Sequence, residues 1–297
     1  MKGVSPSLFP FISHFENIGG FKYHYIEEGK GEPVVMLHGN PTWSFYYREL
    51  IQKLSPLFHC LAPDHIGCGY SDKPGDVSYS YTLEQRVNDL EAFLEEKGIT
   101  RNIHLVVHDW GGIIGMAYAH RQPESIKKFV ILNTTAFHLP QGKSFPVALR
   151  LARTCVGAFM IRAFNAFSGL ATIEGVKRIS LSKDVRKGLT APYNSWKNRI
   201  ATLRFVQDIP LNQSDPGYEM ISEIEEHLDQ FRHTPTLIAW GMKDYVFDHH
   251  FLDKWMQFLP EARLHRYEDS GHYILEDQQE AIGKLVLDFF GESHETL

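Results

Sequence analysis

Cysteine is scarce in this chain: Cys60, Cys68 and Cys155 are the three among 297 residues. An odd, scattered trio excludes a disulfide framework, and without a Cys-x-x-Cys pair there is no thiolate metal motif. A reducing, cytoplasmic setting is therefore expected. Long apolar runs are missing too. No stretch reaches the roughly 18 consecutive apolar residues of a membrane span, and Pro6 and Pro10 interrupt the N-terminal segment before it can form the apolar stretch of a signal peptide. Positive charge is not in excess. The net charge is −6 and no block of clustered Lys and Arg occurs, which argues against a nucleic-acid partner. Neither a metal ion nor a cofactor is expected.

What is present is an ordinary globular mixture, 43% hydrophobic and 22% charged, so a packed core is expected rather than disorder. The length suits one large α/β core carrying an inserted sub-domain. Short apolar runs at 33–37, 58–62, 103–107, 128–132, 235–240 and 263–267 read as strands that end in turn or cap residues. The alternating segment 21–27 (FKYHYIE) reads as an edge hairpin strand. Helical patterns separate the runs, as at 83–97 with Thr82 as its cap, and at 281–290. Such alternation predicts a mostly parallel sheet flanked by helices. The alternation fails across 137–210, which reads as helices only. That segment is expected to form a helical cap over a core made of 1–136 and 211–297. Its aromatic residues Phe145, Phe159, Phe164 and Phe167 are expected to line a long apolar pocket.

In open α/β sheets, ligand sites lie outside the carboxyl ends of the strands. Four polar residues follow strand ends here: Asn40, Asp109, Asp244 and His272. The segment Val107-His108-Asp109-Trp110-Gly111-Gly112 has the form of a nucleophile elbow, although Val107 stands where a glycine is usual. Read alone, Asp109 is equally a helix cap. As a nucleophile it changes the chemistry. A carboxylate suits displacement at a saturated carbon bearing a good leaving group, or opening of a strained ring, and leaves an ester on the enzyme. His272 is the expected general base, and Asp244 the acid that orients it. The alternative acid position holds Asn133, which carries no charge. Asn40 and Trp110 offer neutral N–H donors to a leaving group, or else are a turn residue and a core ring.

These residues resemble the catalytic set of the haloalkane dehalogenase group of α/β-hydrolase-fold enzymes, across nearly the whole chain. The resemblance implies Asp109 as nucleophile, His272 as base, Asp244 as acid, and Asn40 and Trp110 as halide-binding residues. Longer stretches at 63–74 (PDHIGCGYSDKP), 132–137 (LNTTAF), 161–168 (IRAFNAFS) and 191–210 (APYNSWKNRIATLRFVQDIP) are similar to the cis-β-lactone decarboxylases of bacterial olefin biosynthesis. That likeness implies decarboxylation of cis-3-alkyl-4-alkyl β-lactones to cis-alkenes and CO2, a small hydrophobic substrate, and assembly with other olefin-biosynthesis enzymes. Haloalkane dehalogenation is the alternative. Epoxide hydrolysis, with Tyr193 protonating the ring, and a non-catalytic binding role stand behind it. Attack of Asp109 on either the ring carbon bearing oxygen or the carbonyl carbon stays open.

Overall fold

The computed structural model describes residues 3–292. Its centre is one eight-stranded sheet in the order β1-β2-β4-β3-β5-β6-β7-β8. The strands are β1 (Ser13–Ile18), β2 (Phe21–Glu28), β3 (Pro33–Leu37), β4 (His59–Pro63), β5 (Ile103–Asp109), β6 (Ile126–Thr134), β7 (Thr236–Gly241) and β8 (Arg263–Tyr267). Strand β2 runs antiparallel to both its neighbours, and every pair from β4 to β8 is parallel. The fold is that of an α/β-hydrolase. One expectation is corrected: 21–27 is not the edge, because β1 lies outside it. The β1 segment SHFENI alternates too weakly to announce itself, and is recruited by a turn at Gly19 and Gly20, both at positive φ.

Burial explains the central runs. Every residue of β5 is buried, since helices cover both faces. The pleat divides its neighbours' side chains. Val35, Leu37, Leu105 and Val107 enter one core, and Val34, Met36 and Val106 the other. Each such side chain contributes about 1.5–3 kcal/mol.

Twelve α-helices are described: α1 (Arg48–Leu54), α2 (Leu83–Glu96), α3 (Trp110–Arg121), α4 (Val147–Ala152), α5 (Cys155–Phe164), α6 (Ala166–Glu174), α7 (Lys183–Thr190), α8 (Ile200–Gln207), α9 (Tyr218–Glu226), α10 (His249–Phe258), α11 (Ile274–Asp277) and α12 (Gln279–Gly291). The Thr82 hydroxyl accepts the Gln85 N–H and caps α2. Helices α2, α3, α9 and α10 cover one face of the sheet, and α1 and α12 the other. Helices α4 to α8 all lie between β6 and β7 in the chain. Among the described residues no single helix is long and apolar enough to cross a membrane; α5 and α6 pass that test only as a pair, bent by 83°.

Candidate active site

Asp109 closes β5 with φ 51° and ψ −126°, a conformation that side chains other than glycine rarely adopt. Holding it costs about 1–3 kcal/mol, which the surrounding packing must offset. The glycines that follow make the turn possible. A Cβ at Gly111 would strike the Leu37 carbonyl, and one at Gly112 the Thr134 hydroxyl. Val107, at the position where glycine is usual, has its room made elsewhere. A Cβ on Gly115, one turn into α3, would lie 2.8 Å from Val107 Cγ1. The Asp109 side chain does not cap α3. Instead Oδ1 accepts the Asn40 backbone N–H at 2.6 Å, and the Trp110 backbone N–H also bonds the carboxylate. Gly39 lies against that carboxylate, where a Cβ would overlap it.

The ends of β7 and β8 bring the other groups. His272 Nδ1 lies 2.8 Å from Asp244 Oδ2, and its Nε2 lies 3.6 Å from Asp109 Oδ2. Asp244 is 3% exposed and accepts the Val246 N–H at 2.8 Å. Burial works against a charged His272, but Asp244, by charge and hydrogen bond, and then Asp109 outweigh it and lift its pKa above the ordinary imidazole value. Burial pushes the Asp109 carboxyl upward, while His272 and the N–H groups of Asn40 and Trp110 oppose the rise. The Phe247 ring stacks on His272 with centroids 5.7 Å apart.

Two neighbours escaped the sequence reading. Asn133 Nδ2 donates to Asp244 Oδ2 at 3.1 Å, and its Oδ1 accepts the Gly241 N–H at 2.8 Å. It thus ties the ends of β6 and β7 together and holds the Asp244 carboxylate. The signal was its place at a strand end, set aside because it carries no charge. His108 Nε2 donates to the His272 carbonyl at 2.8 Å. Burial, with help from His272, holds His108 well below the ordinary imidazole value. A histidine directly before Asp109 at the end of a buried strand was its sequence signal.

A cavity of about 950 Å3 opens above these groups, large for a ligand pocket. Asn40, Asp109, Trp110 and His272 form its polar floor. Asn40 Nδ2 donates one hydrogen to the Thr202 carbonyl of α8 at 3.1 Å, which orients the amide. Helices α4, α5 and α6 supply apolar wall, including Leu149, Ile161 and Leu170. The aromatic expectation is half corrected. Phe145 and Phe167 line the cavity, whereas Phe159 and Phe164 are 53% and 65% exposed on the outer side of α5. The register of α5 turns Met160 and Ile161 inward instead. Tyr193 is fully buried, does not line the cavity, and its hydroxyl donates to the Thr42 carbonyl.

Comparisons with known proteins identify the family and the fold. The alpha/beta hydrolase fold family matches residues 32–279. The chain is 54% identical over 292 residues to a cis-3-alkyl-4-alkyloxetan-2-one decarboxylase of Shewanella oneidensis, covering 98% of this chain and 92% of the relative. It is 44% identical over 278 residues to an enzyme of the same name from Xanthomonas campestris pv. campestris, covering 91% and 92%. Among solved structures it is similar to haloalkane dehalogenase DbeA from Bradyrhizobium elkani USDA94, with a TM-score of 0.83, 27% identity, and coverage of 94% and 97%.

Proposed function

The chain belongs to the α/β-hydrolase fold family and, within it, to the cis-3-alkyl-4-alkyloxetan-2-one decarboxylases, and on that premise we propose that it splits cis-3,4-dialkyl β-lactones into a cis-alkene and CO2. The observation that carries the reading is a carboxylate nucleophile at the floor of an apolar cavity of about 950 Å3. Two alkyl chains need such wall, each buried CH2 contributing about 0.8 kcal/mol; a small haloalkane does not. The segment 137–210 acts as the cap that supplies it, over a core of 1–136 and 211–297.

Asp109 attacks the ring carbon bearing oxygen. That C–O bond breaks with inversion, and its electron pair leaves as a carboxylate facing the side chains of Asn40 and Trp110. The bond from the adjacent ring carbon to CO2 then breaks. Its electrons form the C=C bond, and the ester C–O bond breaks to return Asp109 as a carboxylate. Inversion followed by anti elimination keeps the cis geometry, and no water is consumed. Attack on the carbonyl carbon is disfavoured by the Asn40 N–H, a natural oxyanion donor that Asp109 itself already occupies. His272, held by Asp244, balances the charge on Asp109.

The reaction takes place in a reducing cytoplasm, in company with the enzymes that make the lactone. Haloalkane dehalogenation by the same residues is the second reading, supported by the likeness to DbeA.

Turnover of a long-chain cis-β-lactone in isotope-labelled water tests the choice. Decarboxylation gives cis-alkene and CO2 in equal amounts, and mass spectrometry finds Asp109 unlabelled, because elimination returns its own oxygen. Long-chain lactones exceed short bromoalkanes in kcat/KM. Hydroxy acid as the sole lactone product, solvent oxygen in Asp109 and brisk bromide release from bromoalkanes would instead move the protein to dehalogenation.

A further inference from the structure

The outer side of the 137–210 segment is both apolar and basic. Phe159, Phe164 and Trp196 are 53%, 65% and 51% exposed. They form one cluster, with Phe159 centroids 5.9 Å from Phe164 and 6.1 Å from Trp196. Beside it Leu151, Val156 and Leu170 are 61%, 73% and 59% exposed and also line the cavity. Val156, one turn before Phe159 on α5, links the aromatic cluster to the residues that line the cavity. Scattered single apolar residues would need no account, but a contiguous group of this kind marks an interaction surface.

Charge identifies what covers it. Residues 137–210 contain 12 Lys and Arg against 3 Asp and Glu, in a chain whose net charge is −6. Lys143, Arg178 and Arg204 pair with Asp248, Asp269 and Asp76 outside the segment and Lys177 with Glu174, so the remaining cations carry the asymmetry. There is no basic run, so this asymmetry shows only when the segment is counted by itself. Lys197 adjoins Trp196, and Arg150 sits on α4; both are exposed, as are Lys183, Arg186 and Lys187 on α7. The Arg162 guanidinium lies 4.8 Å over the Trp196 ring. Helices α5 and α6 are apolar enough to pass for a span in composition, yet they are bent by 83° and too short apart. Apolar helices of that length are too short to cross a membrane singly, and one exposed side of such a helix suits a membrane surface.

We propose that this face docks the protein on an anionic lipid surface, with Phe159, Phe164 and Trp196 at headgroup level and the surrounding Lys and Arg against lipid phosphates. Aromatic rings favour that depth, and each nearby cation adds attraction that salt screens. The cavity mouth then faces the acyl layer, where a dialkyl substrate and a hydrocarbon product partition. The docking rests on the surface alone; the delivery of lactone rests on the function proposed above.

The test is co-flotation of the full chain with vesicles of phosphatidylglycerol and phosphatidylcholine, or of phosphatidylcholine alone. A polarity-sensitive fluorophore on Cys155, exposed at the start of α5 while Cys60 and Cys68 are buried, gives a second readout. Binding to the anionic vesicles is expected, with a blue shift of the probe and weakening in high salt. F159S/F164S/W196S and R150E/K197E should each bind about tenfold more weakly, while turning over a short, water-soluble cis-β-lactone like the wild type. Absence of flotation with either composition, or equal flotation with both, would overturn the proposal. So would a wild-type oligomer that F159S/F164S/W196S dissolves without any vesicle binding, which would assign the patch to a protein partner. If the short lactone is never turned over, the proposed function fails while the vesicle result stands by itself.

Discussion

The backbone N–H of Asn40 donates a 2.6 Å hydrogen bond to Oδ1 of Asp109, 69 residues further along the chain. The bond joins the loop after β3 to the elbow after β5, two strands that lie side by side. It fixes the Asp109 carboxylate in one orientation, and it depends on Gly39, whose missing Cβ leaves space for that carboxylate.

Gly39→Ala should therefore injure catalysis more than folding. The added methyl displaces the Asp109 carboxylate, and a misplacement of about 1 Å costs on the order of 10²-fold in rate. Alkene formation measured beside thermal unfolding checks this. Equal kcat with the fold intact would show that the close approach has no catalytic consequence.

Asp109→Asn keeps the shape and removes the charge. Loss of alkene formation by roughly 10⁴-fold is expected, the scale of removing a catalytic group. Gas chromatography of the product gives the rate, and intact-protein mass shows that the introduced amide has not deamidated back to a carboxylate. Near-wild-type turnover by such verified protein would end the carboxylate-nucleophile reading.

His272 should separate the two chemistries by pH. Hydrolysis of an Asp109 alkyl ester needs neutral His272 as base, and Asp244 and Asp109 hold His272 above the ordinary imidazole value. Multiple-turnover bromide release from a bromoalkane is therefore expected to be lost at low pH, as His272 becomes protonated in the ester intermediate where Asp244 alone still favours its charged form. It should recover as pH rises, while the first equivalent of bromide, set free on alkylation, is unaffected. Lactone decarboxylation consumes no water and should lack this limb. His272→Ala treated with a bromoalkane should retain an alkyl adduct on Asp109 by mass spectrometry. Multiple turnovers of bromoalkane by that variant would contradict the assignment of the base.

Asn133 lies 3.1 Å from the Asp244 carboxylate, close enough to exchange roles with it. Asp244→Asn leaves His272 without its charged partner and should lower the His272-dependent step by about 10²-fold or more. In the double variant Asp244→Asn with Asn133→Asp, the charge returns from the end of β6, and partial recovery of kcat is expected. Asn133→Asp alone places two carboxylates together and raises the pKa of one of them. Failure of the double variant to exceed Asp244→Asn would show that the end of β6 cannot orient His272.

The buried pair of Arg48 and Glu276 anchors the turn that follows His272. Arg48 Nη1 and Nη2 donate to the two Glu276 oxygens at 2.6 and 2.8 Å, and both side chains are about 1% exposed. Glu276→Ala leaves the buried guanidinium with only the half-exposed Glu49 carboxylate at 3.5 Å and the Phe45 carbonyl, and should cost about 3 kcal/mol. Urea unfolding measures it. Arg48→Met combined with Glu276→Leu should lose far less, since it removes both charges at once. A loss as large in the double variant would trace the cost to shape rather than charge.

Local sequence determined a good deal here. The apolar runs of β3 and β5 are buried on both faces, so their pattern needs no partner to be read. Asp109, Asp244 and His272 follow strand ends, and a parallel sheet gathers all such ends on one side. The strand β1, by contrast, has an amphiphilic pattern too faint to stand alone and becomes a strand by pairing with β2. Phe159 and Phe164 were legible as apolar but not as outward-facing. Which side of α5 meets the cavity depends on how α4, α6 and α8 pack around it, and no window of sequence contains that information. Asn133 is the sharpest case. Its chemistry, a neutral amide, says nothing about catalysis, and its role exists only because β6 and β7 are neighbours and bring it within a hydrogen bond of Asp244. Periodicity and residue type fix what a segment is; contacts between segments far apart in the chain fix what each side chain faces, because only the closed sheet and its packed helices set those distances.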